Sequence, residues 1–158
     1  MITFEEFIKE NNNYNKNDYP KNNPLSDKTH QFLIKWTWNT KFFEYYRSHG
    51  IQSIDKDIID ELSKYRPEHE VRLYRIINDI HSELKHKNKL KSYCKNIKTA
   101  LGMMDDVTNY MDVRWFKPNQ ILVDTTLIPN FNNLDLIEEV IVLTEGHLDT
   151  PEKNLFKE

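Results

Sequence analysis

The sequence predicts an α+β fold with its helices first, and three observations predict it. Between Asp27 and Lys64 apolar residues recur at spacings of three and four, the period of a helix face. From Glu70 onward the period becomes that of strands, in runs rich in β-branched and aromatic residues. The order of helices followed by a mainly β half favours α+β over a doubly wound sheet.

Composition bounds the chain before any motif is read. With 158 residues, 38% of them hydrophobic, it is expected to form one domain, 1–158, around one core, and a 12% aromatic share argues against wholesale disorder. Within it the pattern divides into a helical section at 1–69, a β section at 70–145 and a C-terminal tail at 146–158. A formal net charge of -3 supplies no global basic field for nucleic acid. A single cysteine, Cys94, excludes an intramolecular disulfide. No apolar run approaches the ~18 residues needed to span a bilayer, and no export signal opens the chain, so a cytoplasmic protein without a membrane partner is expected.

In chain order, residues 2–9 read as a short helix with Thr3 as its cap, and the asparagine-rich stretch 11–24 as a polar loop. Ser26 or Asp27 caps a strong helical segment that closes at Gly50. Its Phe32, Leu33, Trp36, Phe43 and Tyr46 recur at helical spacing, which reads as a core face. A further helix over 55–64 stops at Arg66-Pro67. Strands are expected at 71–77, 90–93, 111–116, 120–126 and 139–143, with helices at 78–86 and 97–107.

Familiar catalytic signatures are missing. There is no CxxC or HExxH, and His69, His81 and His86 lack the convergent spacing of a zinc site, so no metal is expected. With three glycines and no GxxxxGK[ST] or GxGxxG, a backbone phosphate cradle is not expected either. Cys94 lies among Lys91, Lys95 and Lys98 but has no marked histidine partner, and it reads as a plain thiol.

Three short pieces remain, each at an expected strand. V-R-L-Y-R-I places Arg72 and Arg75 on opposite faces, so one can point inward, where its planar fork suits an anion. K-S-Y-C-K-N-I-K-T-A-L carries Ser92 where a strand leads through a turn to a helix. I-E-E-V-I-V-L opens its strand with Glu138 and Glu139, which alternation sends to opposite faces.

In this order the three pieces resemble the arginine-serine-glutamate class of ADP-ribosyltransferases, the family of many bacterial toxins and phage host-modifying enzymes. Leu73-Tyr74-Arg75 is similar to its aromatic-arginine strand, Ser92 to Ala100 to its serine strand and short helix, and Ile137 to Leu143 to its glutamate strand. Gln120 to Thr125 is similar to its penultimate strand. The resemblance covers about 70–145 and implies a mainly antiparallel two-sheet core that binds NAD+ as substrate.

It further implies that Arg75 holds the NAD+ pyrophosphate, that Ser92 orients ribose and carboxylate, and that Glu139 is the catalytic carboxylate, with Tyr74 or Trp115 walling the nicotinamide. Ile137 stands where members aimed at arginine carry a glutamate or glutamine, which points to a nucleic acid or a non-arginine protein side chain as acceptor. The loop 130–136, with Phe131 foremost, is then expected to recognise that acceptor. The implied roles are toxin, phage-defence effector or phage host-takeover enzyme, with an antitoxin or inhibitor protein as a further partner.

Cys94 replaces the second hydroxyl of the serine motif, and Ile76 a glycine that commonly follows the arginine. A catalytically inactive interaction module on the same fold is therefore one alternative. The lysine-rich run at 85–92 offers another, a nucleic-acid-binding protein.

Overall fold

The computed structural model describes residues 22–38, 40–77, 89–102, 110–131 and 138–143. The expected helices at 2–9 and 78–86, most of the asparagine-rich loop, Ile137, His81, His86 and the tail lie outside the described residues. Four helices are described: α1 (Asp27–Trp38), α2 (Thr40–His49), α3 (Lys56–Leu62) and α4 (Ile97–Gly102). The strands are β1 (Val71–Ile77), β2 (Leu90–Cys94), β3 (Tyr110–Phe116), β4 (Ile121–Asp124) and β5 (Glu139–Leu143).

The fold is α+β. The described strands form one sheet in the order β3-β1-β2-β5-β4, every neighbouring pair antiparallel. A second sheet is not found among the described residues. β1 and β5 occupy the expected spans, the one helix expected to run to Gly50 is two, α1 and α2, and the strand expected over 120–126 is shorter. It stops at Asp124, whose carboxylate accepts the Thr126 amide at 3.0 Å and turns the chain into a 3-10 turn, Thr125–Leu127.

Helix α1 begins at Ser26, whose hydroxyl accepts the Thr29 amide at 3.3 Å. Glu61 of α3 closes over the same end. It accepts the Ser26 amide at 2.8 Å, the Ser26 hydroxyl at 2.7 Å and the Thr29 hydroxyl at 2.5 Å. Burial pushes the Glu61 carboxyl up, but the bonds from Thr29 and Ser26 outweigh it and hold the group below its usual range. Helix α2 ends at Gly50, whose φ of 81° lies where side-chain-bearing residues are strained.

The aromatic stripe of α1 and α2 builds the main core. Phe32 stands 5.6 Å from Phe42 and 5.3 Å from Tyr46, edge to face, and Trp36 lies 4.7 Å from Phe43. These rings pack with Leu90, Leu122, Val123 and Ile141 on one face of the sheet. The other face gathers Leu73, Tyr93, Phe116, Ile121, Val140 and Val142. Alternation along β5 therefore sends Ile141 to the helices and its neighbours Val140 and Val142 away from them. With both faces covered, β5 reads as a continuous apolar run after its first residue. In β4 a register shift between Ile121 and Val123 lets Leu122 and Val123 both join the helix-side core.

Strand β3 inverts the usual pattern. Asp112 and Arg114 are buried, whereas Trp115 is 60% exposed. Arg114 Nε donates to Asp112 at 2.9 Å and the Tyr93 hydroxyl donates to the same carboxylate at 2.5 Å, so the buried charges neutralise each other. Arg114 Nη2 is buried without a hydrogen-bond partner.

Candidate functional site

The three strands that carry Arg75, Ser92 and Glu139 are consecutive in the sheet: β1, β2 and β5. Register places Tyr74 opposite Cys94 and Cys94 opposite Glu139, so these three form a row on one face. Ser92, two residues from Cys94, shares that face and lies diagonally across from Glu139. It is the face that packs against the helices.

The Ser92 hydroxyl donates to Glu139 Oε1. The same oxygen accepts Trp36 Nε1 at 2.9 Å, and that indole N–H also lies 3.0 Å from Ser92 Oγ. The other oxygen, Oε2, accepts the Thr37 hydroxyl at 3.1 Å. Behind it, the Thr125 hydroxyl donates to the Glu139 carbonyl at 2.6 Å and ties the start of β5 to the turn after β4. Burial raises the Glu139 carboxyl above its ordinary range, and Ser92, Trp36, Thr37 and the Arg75 charge pull back against it without cancelling it.

Arg75 reaches this group by a less direct route. As the neighbour of Tyr74 its backbone position alternates to the opposite face, where it pairs in register with Asp112. β1 meets β2 at one registered pair, Tyr74 with Cys94. Beside that pair Arg75 Nη1 donates to the Ser92 carbonyl at 3.0 Å. Its charge acts on Glu139, Cys94 and Tyr93 alike, so the guanidinium lies at the seam between the two strands.

The remaining expected site residues fall in different places. Tyr74 is half-buried in the Glu139 row, with the Arg72 guanidinium 5.8 Å from its ring centre. Trp115 pairs with Arg72 on the outer strand β3, three strand spacings or roughly 14 Å from β5. The structure does not bring its backbone to the Ser92–Glu139 pair. Glu138 is exposed, as alternation requires.

Phe131 corrects the expectation of an exposed contact for an acceptor. It is 1% exposed, joined to the helix-side core and edge-on to His30 at 6.3 Å. The chain turns at Asn130, whose φ is 60°, and this carries the ring inward. The spacing of Ile128 and Phe131, three apart on either side of Pro129-Asn130, is the signal that could have shown both facing the core.

Cys94 is buried, and burial first, then the Glu139 and Glu138 charges, push its thiol up to about 11. At neutral pH it is a thiol, which agrees with the plain reading of that residue. Among the described residues no cluster of histidine, cysteine, aspartate and glutamate could hold a metal ion. Nor is any described helix long and apolar enough to cross a membrane.

Two residues of the site were read from sequence only as helix. The pattern places Trp36 in the core stripe and marks Thr37 with no role, yet both bond Glu139. Compared with family models, with curated proteins and with solved structures, the chain matches none of them.

Proposed function

We propose that the protein is a mono-ADP-ribosyltransferase that moves ADP-ribose from NAD+ to a macromolecular acceptor, either nucleic acid or a non-arginine protein side chain. The observation that supports it is the meeting of Arg75, Ser92 and Glu139 from three adjacent strands, with the Ser92 hydroxyl on the Glu139 carboxylate and Arg75 on the Ser92 carbonyl. A buried carboxylate with several fixed donors is a preorganised negative group, the kind that steadies a developing cation.

In this reading the bond between nicotinamide and ribose breaks and its electrons leave with nicotinamide. The ribose becomes cationic at the anomeric carbon that nicotinamide has left. Glu139 accepts a hydrogen bond from the ribose 2′-hydroxyl and faces that charge, Ser92 holds the carboxylate in place, and Arg75 attends the pyrophosphate. A nucleophile on the acceptor then bonds to the same carbon and gives up its proton to solvent water. The two-sheet core, a cytoplasmic location, a role as toxin, defence effector or takeover enzyme and an inhibitor protein as partner belong to the same reading.

One observation favours a second reading, a non-catalytic interaction module. Both oxygens of Glu139 are already bonded within the protein, and Cys94 and Ile137 depart from the family pattern. Labelled NAD+ incubated with lysate separates the two. Transfer by wild type that is lost in Glu139→Ala supports the transferase. Equal background transfer by both proteins, with no heat of NAD+ binding in calorimetry, overturns it.

A further inference from the structure

Helix α1 delivers two donors of different character to Glu139. The Trp36 N–H is a permanent donor with no ionisation of its own, and it shares Oε1 with the Ser92 hydroxyl. While the Ser92 hydroxyl and the Trp36 N–H both donate to Oε1, a proton on Glu139 sits on Oε2. That oxygen faces Thr37 Oγ1, which lies 3.1 Å from Oε2 and 3.1 Å from the Leu33 carbonyl. The hydroxyl has one hydrogen for two acceptors. With Glu139 ionised, the hydrogen turns to Oε2; with Glu139 protonated, it turns to Leu33 and Thr37 accepts the acid proton instead.

We infer that Trp36 and Thr37 are positioning residues for Glu139. Trp36 fixes Oε1 in one place, and Thr37 satisfies Oε2 in both protonation states. The helical layer thereby sets the rotamer of the carboxylate and the pH at which it becomes an anion. The catalytic meaning of this rests on the transferase reading; the geometry does not.

The ionised side chain that acts on Glu139 from the packed elements is Arg75 of β1; Cys94 of β2 faces it in register as a neutral thiol, and Glu138, just before β5, is exposed. The α1 residues that bond it do not ionise. Burial alone favours the neutral acid, and a neutral acid cannot steady a cation. The donors from α1 therefore work towards the form that the chemistry requires.

The test follows the Glu139 carboxyl carbon by NMR in the full chain labelled at glutamate, with Glu139→Gln used to assign the signal. Trp36→Phe keeps the ring and removes the N–H; Thr37→Val replaces the hydroxyl by a methyl; Thr37→Ser restores a hydroxyl. Trp36→Phe is expected to raise the titration midpoint by about one pH unit and Thr37→Val by less, since the acid form also loses a partner there. Thr37→Ser is expected to titrate as wild type.

In the NAD+ assay at neutral pH both deletions lower kcat by about tenfold, leave KM within about twofold and move the pH profile to the alkaline side. If Trp36→Phe does not fold, the Thr37 pair carries the test. Midpoints equal to wild type in the folded deletion variants, or a Thr37→Ser that behaves as Thr37→Val, overturn the inference. Should wild type itself not turn over NAD+, the transferase reading fails while the NMR midpoints still decide this one.

Discussion

Trp36 and Glu139 are 103 positions apart in the chain, and the indole N–H of one meets the carboxylate of the other at 2.9 Å. The contact joins the helical section to the last described strand. It makes the candidate site a property of the helix-sheet interface rather than of the sheet alone.

Glu139 is expected to weaken the fold where it is ionised. Its carboxyl is raised in the folded state, so the stability of the neutral form is fully present below the unfolded value of about 4.3 and is lost as pH rises through the folded value. Glu139→Gln removes that ionisation. Urea unfolding should find the variant more stable than wild type by about 0.5–2 kcal/mol at pH 8, with the gap closing towards pH 4. Parallel stability curves across that range would contradict the raised carboxyl.

Glu61 works with the opposite sign. Its folded carboxyl is depressed, so its contribution is present above the unfolded value and is lost as pH falls through the folded one. Glu61→Gln keeps the shape but weakens the charge-assisted bonds to Ser26 and Thr29. It should cost about 1–2 kcal/mol at pH 7, and the cost should shrink as pH falls through the folded value. An unchanged thermal midpoint at pH 7 would show that this clasp contributes nothing.

Phe131 tests the corrected placement. As a core residue, Phe131→Ala should destabilise by about 3–5 kcal/mol, read as a fall in the urea midpoint. As a surface contact it would leave unfolding almost unchanged. The two positions of the ring thus differ by more than the error of the experiment.

The strands were legible because short β-branched and aromatic runs bounded by turn residues have few other uses, and β1 and β5 match their expected spans for that reason. Arg75, Ser92 and Glu139 were legible because each is a polar residue at an expected strand. Trp36 and Thr37 were not. A tryptophan in a helical stripe reads the same whether its N–H meets water or a carboxylate, and only tertiary packing distinguishes them. Asp112 and Arg114 were missed for a related reason: charges at alternate positions of a strand imitate a wet face, and the pair hides behind its own neutrality.

That neutrality ties the two residues together. Loss of Asp112 alone would strand the Arg114 guanidinium, and loss of Arg114 alone would leave the Asp112 carboxylate with the Tyr93 hydroxyl but without the charge it bonds, each in a buried setting where an uncompensated charge is severely destabilising. A single substitution at either position is therefore expected to cost more than an uncharged replacement of both together. The inside-out face of β3 is in this sense a commitment of the fold that no single residue can undo.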